Sequence, residues 1–295
     1  MDRGKNGIEG IKGIEGIEGR MEQGNNQKRY IMRNFFLFSV FILFFMNMVT
    51  AQNVPIIGHR GASFEAPENT LASVNLGWEQ NADAVEIDVY LSKDNKIMVI
   101  HDKDTKRTAG KKLIVQESLA SELRKLDVGS FKSPDYRGEK IPFLSEVIET
   151  IPEGKQLFVE VKCGTEILPF LKECFGESGK IDRLVIISFD FDVVAGAKKI
   201  MPEVPAYWLH FNLTGEYSTK LIEKAKEADL DGLNFRYKGI SKEFIKSVHD
   251  ANMKIYTWTV DDPEEAAKLS GFGIDGITTN RPDWMKKELD KISDR

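Results

Sequence analysis

Residues 82–102 read ADAVEIDVYLSKDNKIMVIHD. The first half, Ala84–Val89, is an apolar strand interrupted by two carboxylates, Glu86 and Asp88. These stand two residues apart, so both side chains leave the same face of the strand. A second apolar run, Ile97–Ile100, follows Leu91 after only Ser92-Lys93-Asp94-Asn95-Lys96. A parallel crossover needs about a dozen residues or more, so this connection is a hairpin with Asp94-Asn95 at its turn. The return strand then runs antiparallel to the first and brings His101 back beside Asp88.

Working outward, short apolar runs alternate with amphipathic stretches along the rest of the chain. The runs are Val54–Gly58, Ala84–Val89, Leu157–Val161, Leu184–Ser188, Ala206–Leu209, Gly232–Phe235, Lys254–Val260 and Gly276–Thr279. The stretches between them include Glu68–Gln80, Glu166–Phe175, Phe191–Ile200, Thr219–Ala228, Ser241–Ala251 and Pro263–Leu269. Alternation of this kind predicts an α/β fold with a parallel sheet and helices outside it. Eight strands in about 240 residues fit a (β/α)8 TIM barrel. An open doubly wound sheet is the alternative, but no Gly-rich nucleotide turn follows the first strand. Residues 103–141 are polar, contain no clear strand, and read as a short insertion on the catalytic face. The expected organisation is one barrel domain over 52–295.

The first 51 residues stand apart. Gly7 to Arg20 is GIEGIKGIEGIEGR, a low-complexity repeat without an apolar face, expected to be disordered. Lys28, Arg29 and Arg33 precede an apolar run at 35–49, and Val49-Thr50-Ala51 offers small residues before Gln52. This order is that of a secretory signal peptide. The expected protein is therefore exported, to the periplasm, with no stable membrane anchor after cleavage. An uncleaved anchor is the alternative, although the run is shorter than the ~20 residues of a spanning helix. Translation starting at Met21 or Met32 would omit the repeat.

The composition is globular, with 41% hydrophobic and 29% charged residues and a formal net charge of −5. A mildly acidic chain is a poor nucleic-acid binder, since that binding rests on basic neutralisation of phosphates. Two cysteines, Cys163 and Cys174, make neither a disulfide scaffold nor a zinc site, and one disulfide between them stays open.

The chemistry gathers at strand ends. The first strand finishes in Gly58-His59-Arg60-Gly61, the second carries Glu86 and Asp88, the hairpin ends in His101-Asp102, and the Leu157 strand carries Glu160 and Lys162. In such a barrel, polar residues at the carboxyl ends of strands face the active site. Three carboxylates sharing an interior imply a bound cation. Oxygen-only ligands select one hard divalent ion, Mg²⁺ or Ca²⁺. Histidines beside it suit general acid and base catalysis, and Arg60 and Lys162 suit phosphate oxygens. This set points to phosphodiester cleavage, and no Gly-x-Ser-x-Gly elbow argues for carboxyl esters. Each of these residues also has an ordinary structural reading; His210 and His249 are left to it.

The same residues carry a resemblance. GHRGASFEAPENT (Gly58–Thr70), the 82–102 stretch, Arg107-Thr108, IPFLSEVI (Ile141–Ile148), LFVEVK (Leu157–Lys162), IISF (Ile186–Phe189), IYTWTV and GIDGITTNRP (within Ile255–Pro282) occur in order. The chain thus resembles the glycerophosphodiester phosphodiesterase family, its smaller bacterial members in particular. The resemblance implies His59 and His101 as catalytic acid/base residues and Glu86, Asp88 and Glu160 as metal ligands. It implies Arg60 and Lys162 at the phosphate, Phe189 and Trp258 on the glycerol side, and Glu68 and Asn69 in support of the first loop. The reaction implied is hydrolysis of a small glycerophosphodiester to sn-glycerol 3-phosphate and an alcohol. A cyclising phospholipase C/D-like lyase on the same barrel is the alternative.

Overall fold

The computed structural model describes residues 54–211 and 215–295. The repeat, the apolar run at 35–49 and the expected cleavage point lie outside the described residues. Eight parallel strands close a barrel: β1 (Ile56–His59), β2 (Ala84–Leu91), β4 (Gln156–Val161), β5 (Leu184–Ser188), β6 (Ala206–His210), β7 (Gly232–Arg236), β8 (Lys254–Trp258) and β9 (Gly276–Thr279). Closure comes from β1, which pairs with β9 on one side and β2 on the other. The TIM-barrel expectation is met, and the open sheet is excluded by that double pairing. The seventh of the eight expected runs was too long, since the strand expected at Lys254–Val260 stops at Trp258.

Alternation sorts the strand residues into two cores. Ile57, Ala84, Phe158, Val185, Ile187, Tyr207, Leu209 and Tyr256 fill the barrel interior. Their neighbours in sequence, such as Val85, Ile87, Val159, Ile186, Leu233 and Ile255, face outward and pack under the helices. Each such buried aliphatic or aromatic side chain contributes about 1.5–3 kcal/mol of transfer free energy. Tyr256 occupies the bottom so fully that a Cβ on Gly276 would meet its ring at 2.6 Å. The polar members of the inward series, Glu86, Asp88, Glu160 and Lys162, come after the apolar ones along each strand. They therefore collect at the carboxyl end.

The hairpin forms as its length requires. β3 (Ile97–Val99) pairs antiparallel with β2, Val89 opposite Val99 and Leu91 opposite Ile97. Asn95 takes the left-handed conformation at the turn, φ 59°, which Asn tolerates better than most residues. The Ile100 amide then donates to the Asp88 carbonyl at 2.9 Å, delivering His101 to the site.

The insertion has short helices at Lys106–Ala109 and Ala120–Leu123 and a small core of its own, built on Met98, Ile100, Val115, Leu123, Val128 and Ile141. It rests on the loop after β1, where Lys132 Nζ donates to the Ser63 carbonyl at 2.8 Å. Two helices absent from the sequence reading, Leu144–Glu149 and Pro282–Ser293, complete the outer layer. The first outer helix is shorter than expected. It begins at Leu71, capped by a reciprocal Thr70–Ser73 box, because Asn69 sits at φ 58° and ends any helical path through Glu68. No helix among the described residues is long and apolar enough to cross a membrane.

Candidate active site

Three carboxylates meet at the barrel mouth. Glu86, Asp88 and Glu160 each offer one oxygen, all within 4.8 Å of one another. Glu86 and Asp88 are buried, at 3% and 1% exposure. Burial, then the charges of Asp88 and Glu160, push the Glu86 carboxyl well above the usual carboxylate range. Burial and Asp88 likewise raise Glu160 to about 7. Asp88 goes the other way: against its burial, the charges of Arg60 and Lys162 hold it low. Glu86 Oε2 accepts the Arg60 amide at 3.0 Å, while Oε1 is buried with no partner among the described residues. A buried acceptor left unpaired costs about 1–3 kcal/mol. The donor set is all oxygen and one oxygen is unclaimed, so these residues fit a hard divalent cation.

The loop after β1 is wound tightly to serve this cluster. Arg60 and Gly61 both have positive φ, 53° and 85°. A Cβ on Gly61 would lie 2.4 Å from the Ser73 carbonyl carbon, so only glycine fits there. The turn aims the Arg60 amide at Glu86 and its guanidinium at Glu68 (Nη1 to Oε1, 2.8 Å). Arg60 Nε also lies 3.3 Å from Asp88 Oδ2, a charge contact rather than a well-directed hydrogen bond. Asn69 braces Asp88 from the other side through both its amide atoms.

The two histidines have different partners. His59 Nδ1 is 2.7 Å from Asn280 Oδ1. Burial first, then the neighbouring Arg60 charge, lower its pKa to about 4, with Asn280 opposing. His101 Nδ1 is 2.7 Å from Asp102 Oδ1, and its Nε2 is 3.3 Å from Lys162 Nζ. Asp102 is held by Arg107 Nε at 2.7 Å, and the Arg107 fork binds both oxygens of Glu68. Burial would raise the Asp102 carboxyl, but hydrogen bonds from Arg107 and His101 bring it to about 2. Lys162 completes the cluster by donating to Glu160 at 2.7 Å and lying 3.5 Å from Asp88.

One wall is aromatic. Phe189 meets Trp258 edge-on at 5.5 Å and stacks on Phe211 at 4.4 Å, with Lys162 Nζ 5.9 Å from the Phe189 ring. Trp258 Nε1 is buried without an acceptor among the described residues.

All the residues singled out from sequence, His59, Arg60, Glu68, Asn69, Glu86, Asp88, His101, Glu160, Lys162, Phe189 and Trp258, therefore converge on one end of the barrel. Asn280, Asp102 and Phe211 belong to the same place and were not singled out. Asn280 follows β9 and Phe211 follows β6, so their position at strand ends was the available signal. His210 instead packs outside the barrel against Trp208 and Phe235, and His249 pairs with Asp275. Cys163 and Cys174 are free thiols.

With this geometry in hand, known proteins are informative. The model of the "Glycerophosphoryl diester phosphodiesterase family" matches residues 59–284. YhdW of Bacillus subtilis is 34% identical over 236 residues, covering 79% of this chain and 97% of its own. A glycerophosphodiester phosphodiesterase of Caldanaerobacter subterraneus is 32% identical over 238 residues, covering 78% and 95%. Among solved structures, an Oleispira antarctica phosphodiesterase in complex with the product sn-glycerol-3-phosphate is similar with a TM-score of 0.75 at 30% identity. That likeness covers 80% of this chain and 97% of the other.

Proposed function

This chain belongs to the glycerophosphoryl diester phosphodiesterase family and is a phosphoric diester hydrolase; from that premise we propose a metal-dependent hydrolysis with two histidines as proton carriers. The substrate is a small glycerophosphodiester, and the products are sn-glycerol 3-phosphate and an alcohol. The observation that carries this reading is the meeting of Glu86, Asp88 and Glu160 around one unclaimed carboxylate oxygen, with His59 and His101 alongside.

Glu86, Asp88 and Glu160 would hold Mg²⁺ or Ca²⁺. When bound, such a cation neutralises phosphoryl charge and acts as a Lewis acid. His59, neutral near pH 7 and with Nδ1 committed to Asn280, has Nε2 open to take a proton from the attacking hydroxyl or water. His101, its ring oriented by Asp102 at Nδ1, is set to return one to the leaving alcohol oxygen. Lys162 and Arg60 bring positive charge to the phosphate. Phe189, Trp258 and Phe211 offer the carbon skeleton of the glycerol an apolar wall, and Trp258 Nε1 offers a hydroxyl a donor.

The test is an assay of the purified protein on glycerophosphocholine, glycerophosphoethanolamine and glycerophosphoinositol, followed by phosphorus NMR. Release of glycerol phosphate that stops on complete chelation and returns with Mg²⁺ or Ca²⁺ supports the reading. Activity surviving metal removal, or undiminished in His59→Ala or His101→Ala, overturns it. A persistent cyclic phosphate identifies the lyase alternative. The N-terminal pattern at 28–51 supports export, tested by whether the secreted chain begins near Gln52 or retains Met1.

A further inference from the structure

His59 touches one side chain that no substrate need touch, and that side chain is itself oriented by another. Asn280 Oδ1 lies 2.7 Å from His59 Nδ1 and accepts from Ser63 Oγ at 2.9 Å. Asn280 Nδ2 donates to Asp261 Oδ2 at 2.5 Å. Asp261 Oδ1 accepts the Asn280 amide and the Thr279 hydroxyl, both at 2.8 Å.

We propose that Asp261 and Asn280 form a polarity relay that sets the tautomer of His59, making both positioning residues for its proton transfer. The relay rests on the reading of His59 as a proton carrier. An ionised carboxylate only accepts hydrogen bonds. Asp261 therefore draws the NH₂ end of the Asn280 amide toward itself and turns the oxygen toward His59. An amide oxygen also only accepts, so His59 Nδ1 must carry the proton. A neutral imidazole has one N–H, which leaves Nε2 as the lone pair, the form a base requires. Ser63 adds a second donor to the same oxygen and disfavours the flipped amide. Asp261 follows β8 and Asn280 follows β9, and β9 pairs with β1 where His59 ends it. Barrel closure is what aligns the three.

The reciprocal exchange makes this testable. In Asp261→Asn, two NH₂ groups face each other, the Asn280 amide is free to turn, and a donor replaces the acceptor at His59. In Asp261→Asn/Asn280→Asp the polarity returns: residue 261 donates, residue 280 accepts from Nδ1, and the net charge is unchanged. The experiment uses the full chain with its activating cation, steady-state kinetics on glycerophosphocholine, and long-range ¹H–¹⁵N NMR of the histidine rings, with His59→Gln assigning the resonance.

D261N is expected to lower kcat on the order of 10²-fold with KM changed by less than about threefold, and the double variant to recover kcat to within about tenfold. The His59 ring should move from Nδ1–H to Nε2–H in D261N and back in the double variant. Asn280→Asp alone should keep Nδ1–H, because an acceptor remains. Wild-type kcat and tautomer in folded D261N would overturn the relay, as would a folded double variant that recovers neither. His59→Ala separates the two readings: if it stays active the proton-carrier role falls, whereas an inactive His59→Ala with a fully active D261N removes only the relay.

Discussion

Asn69 and Asp88 exchange two hydrogen bonds across 19 positions of sequence: Asn69 Nδ2 donates to Asp88 Oδ2 at 2.8 Å, and the Asp88 amide donates to Asn69 Oδ1 at 3.0 Å. The clamp fixes one carboxylate of the cluster in place, with its other oxygen toward Lys162. Asn69 does this from φ 58°, a region that costs a residue other than Gly or Asn roughly 1–2 kcal/mol. Replacement by Ala should lose both the clamp and the backbone tolerance, whereas Gly loses only the clamp. Both variants should bind the cation about 10–100-fold more weakly. Asn69→Gly should be the more stable by about 1 kcal/mol. Titration calorimetry and thermal melts read the two separately; wild-type affinity in either variant contradicts the assignment.

The depressed pKa of His59 predicts the acid limb of the rate profile. Its folded value, about 4, lies below the ordinary 6.5. The neutral ring is the one the fold prefers, so its stabilising contribution is full above pH 6.5 and declines as pH falls toward 4. A neutral base then persists well below pH 6.5. With saturating cation, the acid limb of kcat/KM should lie nearer 4 than 6.5. A limb at 6.5 would mean that His59 is not the group being titrated.

Glu86 should display a trade between stability and activity. Its carboxyl is buried, beside two others, with Oε1 unpaired among the described residues. Glu86→Gln keeps an oxygen for the Arg60 amide and removes the charge. The metal-free variant should be more stable than the metal-free parent by on the order of 1 kcal/mol. Its activity should be lost, and Mg²⁺ or Ca²⁺ should raise its melting temperature less than the parent's. Calorimetric scans with chelator and with added cation make the comparison.

Arg107 is half-exposed, yet it ties Asp102 to Glu68 through three hydrogen bonds. Exposed pairs of this kind contribute about 0–1 kcal/mol to stability. Arg107→Ala should therefore melt near the parent while kcat falls about tenfold or more, because Asp102 is freed from His101. Arg107→Lys should not restore it, since one ammonium cannot span two carboxylates as the planar fork does. Equal kcat in all three proteins would show that Asp102 needs no anchor.

Much of this site was legible because strand alternation is a local rule. Glu86 with Asp88, and Glu160 with Lys162, share the inward face for the same reason that Ala84 and Phe158 do, and a short loop was enough to bring His101 back to Asp88. Loop residues were harder. Glu68 was expected in the first helix, but the left-handed Asn69 places it outside, free to meet Arg60 and Arg107. Arg107 lies 39 positions from Glu68, and no periodicity reaches across that interval.

By itself the sequence determined the alternation of strand and helix, the face each polar residue takes, the hairpin, and hence the barrel and most of its chemistry. Those follow from backbone sterics and hydrophobic burial acting over a few residues at a time. Only the tertiary structure decided who pairs with whom. His59 and Asn280 are 221 positions apart and meet because β9 closes on β1. Glu86 Oε1 is left without a partner among the described residues, which no local pattern around it announces. Hydrogen bonds and charge contacts act at a few ångströms in space, whatever the separation in sequence, so their partners were settled when the barrel closed.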